Sequence, residues 1–191
     1  MLLIINYFHH VQLSEILVIS AKIPMSKHPF VRLLWRALGA AVAISLALWI
    51  AGLSEKSFLL ASLGGSTVFL FGLTRAPAAQ PRALFGGHLS GAFIGIACYQ
   101  AFGDSISVYI AATVLTFCFM LITRTVHPPA GANSIIMIEA NAGWLVLWQP
   151  VLLGVGSLFL VAIVWSRLYP GLAHYPASPM EPSPPSFDWS D

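Results

Sequence analysis

The chain has 191 residues, of which 58% are hydrophobic and only 8% charged, and its mean hydropathy is +0.82. Water-soluble domains carry about 25% charged residues, so this composition excludes an ordinary soluble domain and points to lipid as the solvent. The net charge of +2 is too small and scattered for a nucleic-acid-binding stripe, and Cys98 and Cys118 sit in apolar runs without metal-ligand spacing.

Residues 1–32 form an N-terminal extension. Its first part, "MLLIINYFHHVQLSEILVISAKIP", lacks the basic start and small-residue cleavage site of a secretory signal. It reads either as an interfacial helix or as translated sequence ahead of a start at Met25. Lys22, Lys27, Arg32 and Arg36 then lead into "WRALGAAVAISLALWIAGL", residues 35–53, about the ~20 apolar residues that a bilayer core requires. "FLLASLGGSTVFLFGL", residues 58–73, is apolar but short, and Gly64, Gly65, Ser66 and Thr67 interrupt it.

A loop with Arg75 and Arg82 brings the third segment, residues 83–102, which contains His88 after Gly86 and Gly87. Residues 106–122 make a fourth. The fifth lies in "TRTVHPPAGANSIIMIE", residues 123–139, and the sixth spans 145–165. These segments place a transmembrane domain at 33–169. The tail, 170–191, holds six prolines and few apolar runs, and is expected to be disordered and solvent-exposed.

A shift of 67 residues lays Gly64 on Gly131, Ser66 on Asn133 and Thr67 on Ser134, and carries the first segment onto the fourth. Charge is an independent test, because short cytoplasmic loops collect Lys and Arg. With the N-terminus inside and six crossings, eight of the nine basic residues fall inside; only Lys56 does not. The expected fold is therefore an all-α membrane protein of two inverted three-segment repeats, the second and fifth segments being short or half-helical. Interrupted segments at corresponding repeat positions are the sequence pointer to a midplane transport site, where opposed half-helix N-termini attract an anion.

Pro128 and Pro129 cannot continue the fourth helix but suit the first turn of a new one. The fourth helix should end near Arg124 and the next start near Pro129. Gly131 permits close approach of a ligand or a helix; Asn133 and Ser134 offer polar groups from the new first turn. Arg124 is either a topology anchor or an attractor at the inner mouth. His127 is either a proton-linked gate or a neutral cap. Glu139 and His88 are secondary candidates, as an end-of-helix acid and an intramembrane polar group.

"TRTVHPPAGANS", "LGGSTVFLFG" and "APAAQPRALFGGHLSG" together resemble the HPP family of integral membrane proteins, over roughly residues 33–168. The family motif maps onto Arg124, His127, Pro128, Pro129, Gly131 and Ser134, and its glycine-rich segment onto Gly64, Gly65 and Ser66. Asn133 stands where a small or hydroxyl residue is expected. The family is commonly described with four helices, against the six segments counted above. Members in plastids and cyanobacteria are implicated in nitrite transport. The resemblance thus implies a transporter or channel for a small anion, nitrite first.

No transit peptide is apparent, which suggests the inner membrane of a bacterium. The expected partners are the bilayer and a small anion, with a homo-oligomer left open and no nucleic acid. No cofactor, no metal and no enzymatic activity are expected, since no paired-carboxylate, Ser/His/Asp or metal-spaced cluster is present. The alternatives are a sensory or structural membrane module and a transporter of another small solute.

Overall fold

The computed structural model describes residues 29–51 and 58–184. The reading of residues 1–24 as an interfacial helix lies outside the described residues. Among the described residues the fold has six α-helices: α1 Pro29–Ala51, α2 Phe58–Thr67, α3 Pro81–Phe102, α4 Ile106–Thr123, α5 Asn133–Glu139 and α6 Leu153–Leu168. A wider, π-type turn at Val68–Gly72 continues α2, and a tight 3-10 turn at Pro128–Ala132 runs into α5. Two turns at Trp144–Leu152, broken by the extended Gln149 (φ −134°, ψ 116°), lead into α6.

The boundaries follow local chemistry. Pro81 opens α3, where its missing N–H costs nothing, and Gly103 ends that helix at φ 76°. Arg124 closes α4 in the left-handed region (φ 54°, ψ 46°). The Pro128-Pro129 turn then starts a new helix, as the prolines require.

Among the described residues three stretches are long and apolar enough to cross a membrane: Pro29–Ile50, Ile106–Thr123 and Trp144–Leu168. Their outward faces expose large apolar side chains such as Leu38 and Val42 on α1, Ile110, Val114 and Phe117 on α4, and Leu160 and Val164 on α6. So continuous an apolar surface is incompatible with water and natural in lipid.

Helix α1 packs along α6, while α3 packs against α4 and α5. The core divides accordingly. One cluster joins Ala43, Ala47, Leu63, Leu70, Val155, Leu158 and Ala162 from α1, α2 and α6; others join Ala92 and Ile96 of α3 to Met137, and Cys98 to Ala112 and Ile138. The third helix of each half thus lies against the first helix of the other half.

The Pro-rich tail is not the exposed, disordered segment that its composition suggests, through residue 184. Tyr175 is fully buried in the α1–α2–α6 core, and its hydroxyl donates to Ala79 O at 2.9 Å. Burial pushes the Tyr175 phenol above its usual range, which keeps that hydrogen in place. Gln80 Oε1 accepts from the backbone N–H groups of Ala177 and Ser178, both at 3.0 Å, while its Nε2 donates to Thr74 O and Ala76 O. Ser183 N–H donates to Arg124 O, and Arg124 Nε donates back to Ser183 O at 2.8 Å. The tail therefore straps together the loop after α2, the start of α3 and the end of α4.

Candidate functional site

The fold delivers four polar side chains to one dry place. Ser66 comes from α2, His88 from α3, His127 from the residue before the proline turn, and Asn133 from the start of α5. Each is at most 1% exposed. Ser66 Oγ lies 2.8 Å from both His88 Nε2 and His127 Nε2. On its far side, His127 Nδ1 is 2.6 Å from Ala78 O. Asn133 Nδ2 is 3.0 Å from both His88 Nδ1 and His88 O, and Ser62 Oγ is 3.3 Å from His88 Nδ1. The two imidazole centroids are 5.1 Å apart.

A stripe of glycines makes this approach possible. Gly87, Gly91 and Gly95 recur every fourth residue on α3 and form a groove for the segment His127–Met137. A Cβ at Gly91 would lie 2.6 Å from Ala130 O, and one at Gly95 2.5 Å from Ser134 O. At Gly87 it would meet His127 Cβ at 2.9 Å. Backbone atoms cannot step aside, so only glycine allows α3 to sit this close. Gly65 does the same on α2, where a Cβ would stand 3.0 Å from Pro129 Cβ.

The donors and acceptors of the cluster can be assigned from its own geometry. Ala78 O only accepts, so His127 Nδ1 carries a hydrogen. His88 O only accepts, so the amide of Asn133 turns its NH2 toward His88, and His88 Nδ1 accepts the second amide hydrogen. Neutral His88 then carries its hydrogen on Nε2 and donates to Ser66 Oγ. Ser66 in turn donates to His127 Nε2. Every member is satisfied along one continuous line except Asn133 Oδ1, which is buried without a partner. Thr116 Oγ1 on α4 is the same, fully buried and unpartnered. Both residues flank Gly91, whose Cβ would lie 3.2 Å from Asn133 Cβ and 3.4 Å from Thr116 Cγ2.

The other sequence candidates are distributed around this line. Pro129 packs on Gly65, and Pro128 is exposed. Gly64 and Gly131, which the shift of 67 superposes, are alike in that a Cβ on either would meet nothing within 4 Å. Thr67 is outside the cluster, its hydroxyl bonded back to Gly64 O at 2.7 Å. Ser134 is buried and bonds back to Gly131 O at 3.4 Å. Arg124 is held by Ser183 at the strapped end. Glu139 lies at the opposite end, accepting from Tyr109 Oη at 2.8 Å.

One expectation is corrected outright. Gly64–Thr67 does not begin a half-helix; these residues close the α-helical part of α2, which starts at Phe58 and continues into the turn at Val68–Gly72. Their N–H groups are spent within the helix, so no pair of opposed helix N-termini exists here. Only the Pro128 side supplies a fresh helix start. Ser62, Thr116 and the Gly87-Gly91-Gly95 stripe were not singled out from sequence, although the four-residue spacing of the glycines and of Ser62 and Ser66 was there to read.

The model of the family described as "HPP, transmembrane region" matches residues 25–176. Two transmembrane proteins of Dictyostelium discoideum are each 30% identical, over 118 and 119 residues, which is 58% of this chain in both cases. The matches cover 38% and 42% of those relatives, so the chain spans less than half their length. No solved structure matches. With a family match running from before α1 into the C-terminal strap, and helices apolar enough for lipid, this chain is an integral membrane protein and belongs to the HPP transmembrane family.

Proposed function

We propose that this protein is a transporter or channel for a small inorganic anion, nitrite first, and that it moves the ion with a proton. The observation that carries the reading is the Asn133–His88–Ser66–His127 line inside the apolar bundle. Ionisable side chains in the interior of a membrane protein are costly, and their ordinary use is an ion or proton path.

The line is arranged to hold His127 in either charge state. With His127 neutral, the Ser66 hydroxyl donates to its Nε2. With a proton added at Nε2, that nitrogen becomes the donor to Ser66 Oγ, and the Ser66 hydrogen has a second acceptor in Ser62 O, 3.0 Å away. One hydroxyl rotation thus accommodates the extra proton. Given to an arriving nitrite, the proton yields the neutral acid and removes the charge penalty of crossing. The unpartnered Asn133 Oδ1 suits this step, because an amide oxygen receives the O–H of a neutral acid and repels a bare anion, while the nearby Thr116 hydroxyl can bond to either form.

The two-repeat reading belongs to the same proposal. Ser66 and Asn133, equivalent under the shift of 67, engage opposite ring nitrogens of His88. The third helices also exchange partners between halves. Arg36, Arg75, Arg82, Arg124 and Arg167 at the strapped end support a cytoplasmic position for that end and the N-terminus, and the inner membrane of a bacterium remains the proposed location.

The test is nitrite uptake into proteoliposomes. Ser66→Ala and His127→Ala should each lower it at least tenfold, and Arg124→Ala should lower it at low salt. Unchanged uptake in all three would sink the site. If the wild-type protein moves neither nitrite, nitrate nor formate, the reading as a non-transporting sensory or structural module takes its place.

A further inference from the structure

Three of the arginines at the strapped end spend their guanidinium on carbonyl oxygens. Arg82 Nη2 donates to Thr123 O, Arg124 Nε to Ser183 O, and Arg167 Nη1 to Ile163 O and Tyr175 O. Arg36 and Arg75 do not. They line one cleft of about 440 Å³ with Thr74, Ala76 and Ala173, between α1, the loop after α2 and the strap. Among the described residues neither has a hydrogen-bond or ion-pair partner. Two unpaired arginines lining one cleft make it electropositive, and the planar forks of their guanidinium groups match the oxygens of a phosphate.

The surroundings fix the level of this cleft relative to the bilayer. Trp35, the neighbour of Arg36, stacks on Trp165 with ring centroids 4.6 Å apart, and Tyr169 tilts onto Trp35 at 5.6 Å. Trp165 Nε1 donates to Trp35 O at 3.0 Å. Clustered Trp and Tyr mark the membrane–water interface, where lipid phosphates lie. A narrower continuation shares Arg36, Thr74 and Ala173 and runs inward past Phe71, Ala162 and Trp165, offering an apolar wall behind the two charges.

We propose that the Arg36–Arg75 cleft is a binding site for a phosphate-type oxyanion, supplied either by the headgroup of an anionic lipid or by free inorganic phosphate. Basic pockets between membrane helices at the headgroup level are suited to such ligands. The cleft is separate from the histidine line, and its occupancy does not depend on what the protein transports. The same loop connects the two, however. Ala76 lines the cleft and Ala78 O holds His127, so an occupied cleft steadies the loop that positions His127 Nδ1.

The full chain in nanodiscs tests this in two arms. Thermal stability is followed as phosphatidylglycerol replaces phosphatidylcholine, and separately as inorganic phosphate is added in pure phosphatidylcholine. Stabilisation in the first arm alone assigns a lipid headgroup; stabilisation in the second assigns the free ion. In the responding arm, R36Q/R75Q should need at least tenfold more ligand for the same shift, whereas R32Q, which removes a charge outside the cleft, should stay within twofold of wild type. Should R36Q/R75Q fail to fold, R75Q alone, at an exposed loop position, should still show at least a threefold loss. No response of the wild type in either arm, or an equal loss in R32Q and the cleft variants, overturns the proposal.

Discussion

Ser66 is the residue on which the buried line turns, because its single oxygen serves both histidines. Ser66→Ala leaves His88 Nε2 and His127 Nε2 buried without partners. Each orphaned group costs about 1–3 kcal/mol, and a chain of this size loses roughly 2–4 °C in melting temperature per kcal/mol. A drop of several degrees is expected, measured by thermal unfolding in detergent. Thr116→Val should behave oppositely. Its hydroxyl has no partner to lose, so the isosteric methyl leaves stability equal or slightly higher while lowering nitrite uptake. Equal stability loss in both variants would mean that Thr116 is bonded and the assignment of acceptors around Asn133 is wrong. The pairing of His127 with Ser66 was only half legible. A shift of 67 residues put Ser66 and Asn133 in register, but His88, which both contact, enters from a third helix that the two aligned stretches do not include.

At the scale of elements, the glycines divide into two kinds that sequence does not distinguish. Gly91 and Gly95 face backbone oxygens at 2.6 and 2.5 Å from an added Cβ, while Gly131 faces open space. Gly91→Ala and Gly95→Ala should each destabilise by about 1–3 kcal/mol through overpacking. Gly131→Ala should leave melting unchanged, and thermal unfolding of the three variants separates the classes. The strap makes a second element-level prediction. A chain ended after Tyr169 loses Tyr175 from the core and the two backbone donors from Gln80, and should melt well below the chain ended after Pro184. Equal melting of the two would restore the exposed tail that composition suggests.

What sequence conveyed at this scale depended on whether the governing physics is local. The break at Arg124–Pro129 was legible because proline lacks an N–H and clashes with the preceding turn. The interruption at Gly64–Thr67 looked equivalent and was not. Glycine and serine are tolerated within a helix when neighbours pack on them, and here Pro129 packs on Gly65, Ser66 is bonded to both histidines and Thr67 bonds back to Gly64 O. The strap was invisible for a different reason. It is held by backbone groups bonded to Gln80 and Arg124, nearly a hundred and about sixty residues earlier, and such pairing leaves no periodic trace.

For the whole molecule, the distribution of arginine is the quantity that ties fold to orientation. Arg36, Arg75, Arg82, Arg124 and Arg167 gather at the end closed by the strap, while Glu139, with its Tyr109 partner, marks the other end. The long helices link the two ends, since α4 starts beside Tyr109 and finishes at Arg124, and α1 runs beside α6 from Trp35–Trp165 to Ile50–Gln149. Charge asymmetry of this kind orients a chain during insertion, with the basic loops left inside. In a background with Cys98 and Cys118 replaced by alanine, single cysteines at Asp104 and at Ala173 should therefore react with a membrane-impermeant maleimide from opposite faces of intact cells, Asp104 from outside. Moving charge should move the answer. Replacing Arg75, Arg82 and Arg124 by glutamine while adding two lysines beside Asp104 weakens the bias, and a measurable fraction of chains should then label at Ala173 from outside. If both positions label from one face in the unaltered protein, the odd number of crossings between them is wrong, and the pairing of two inverted halves falls with it.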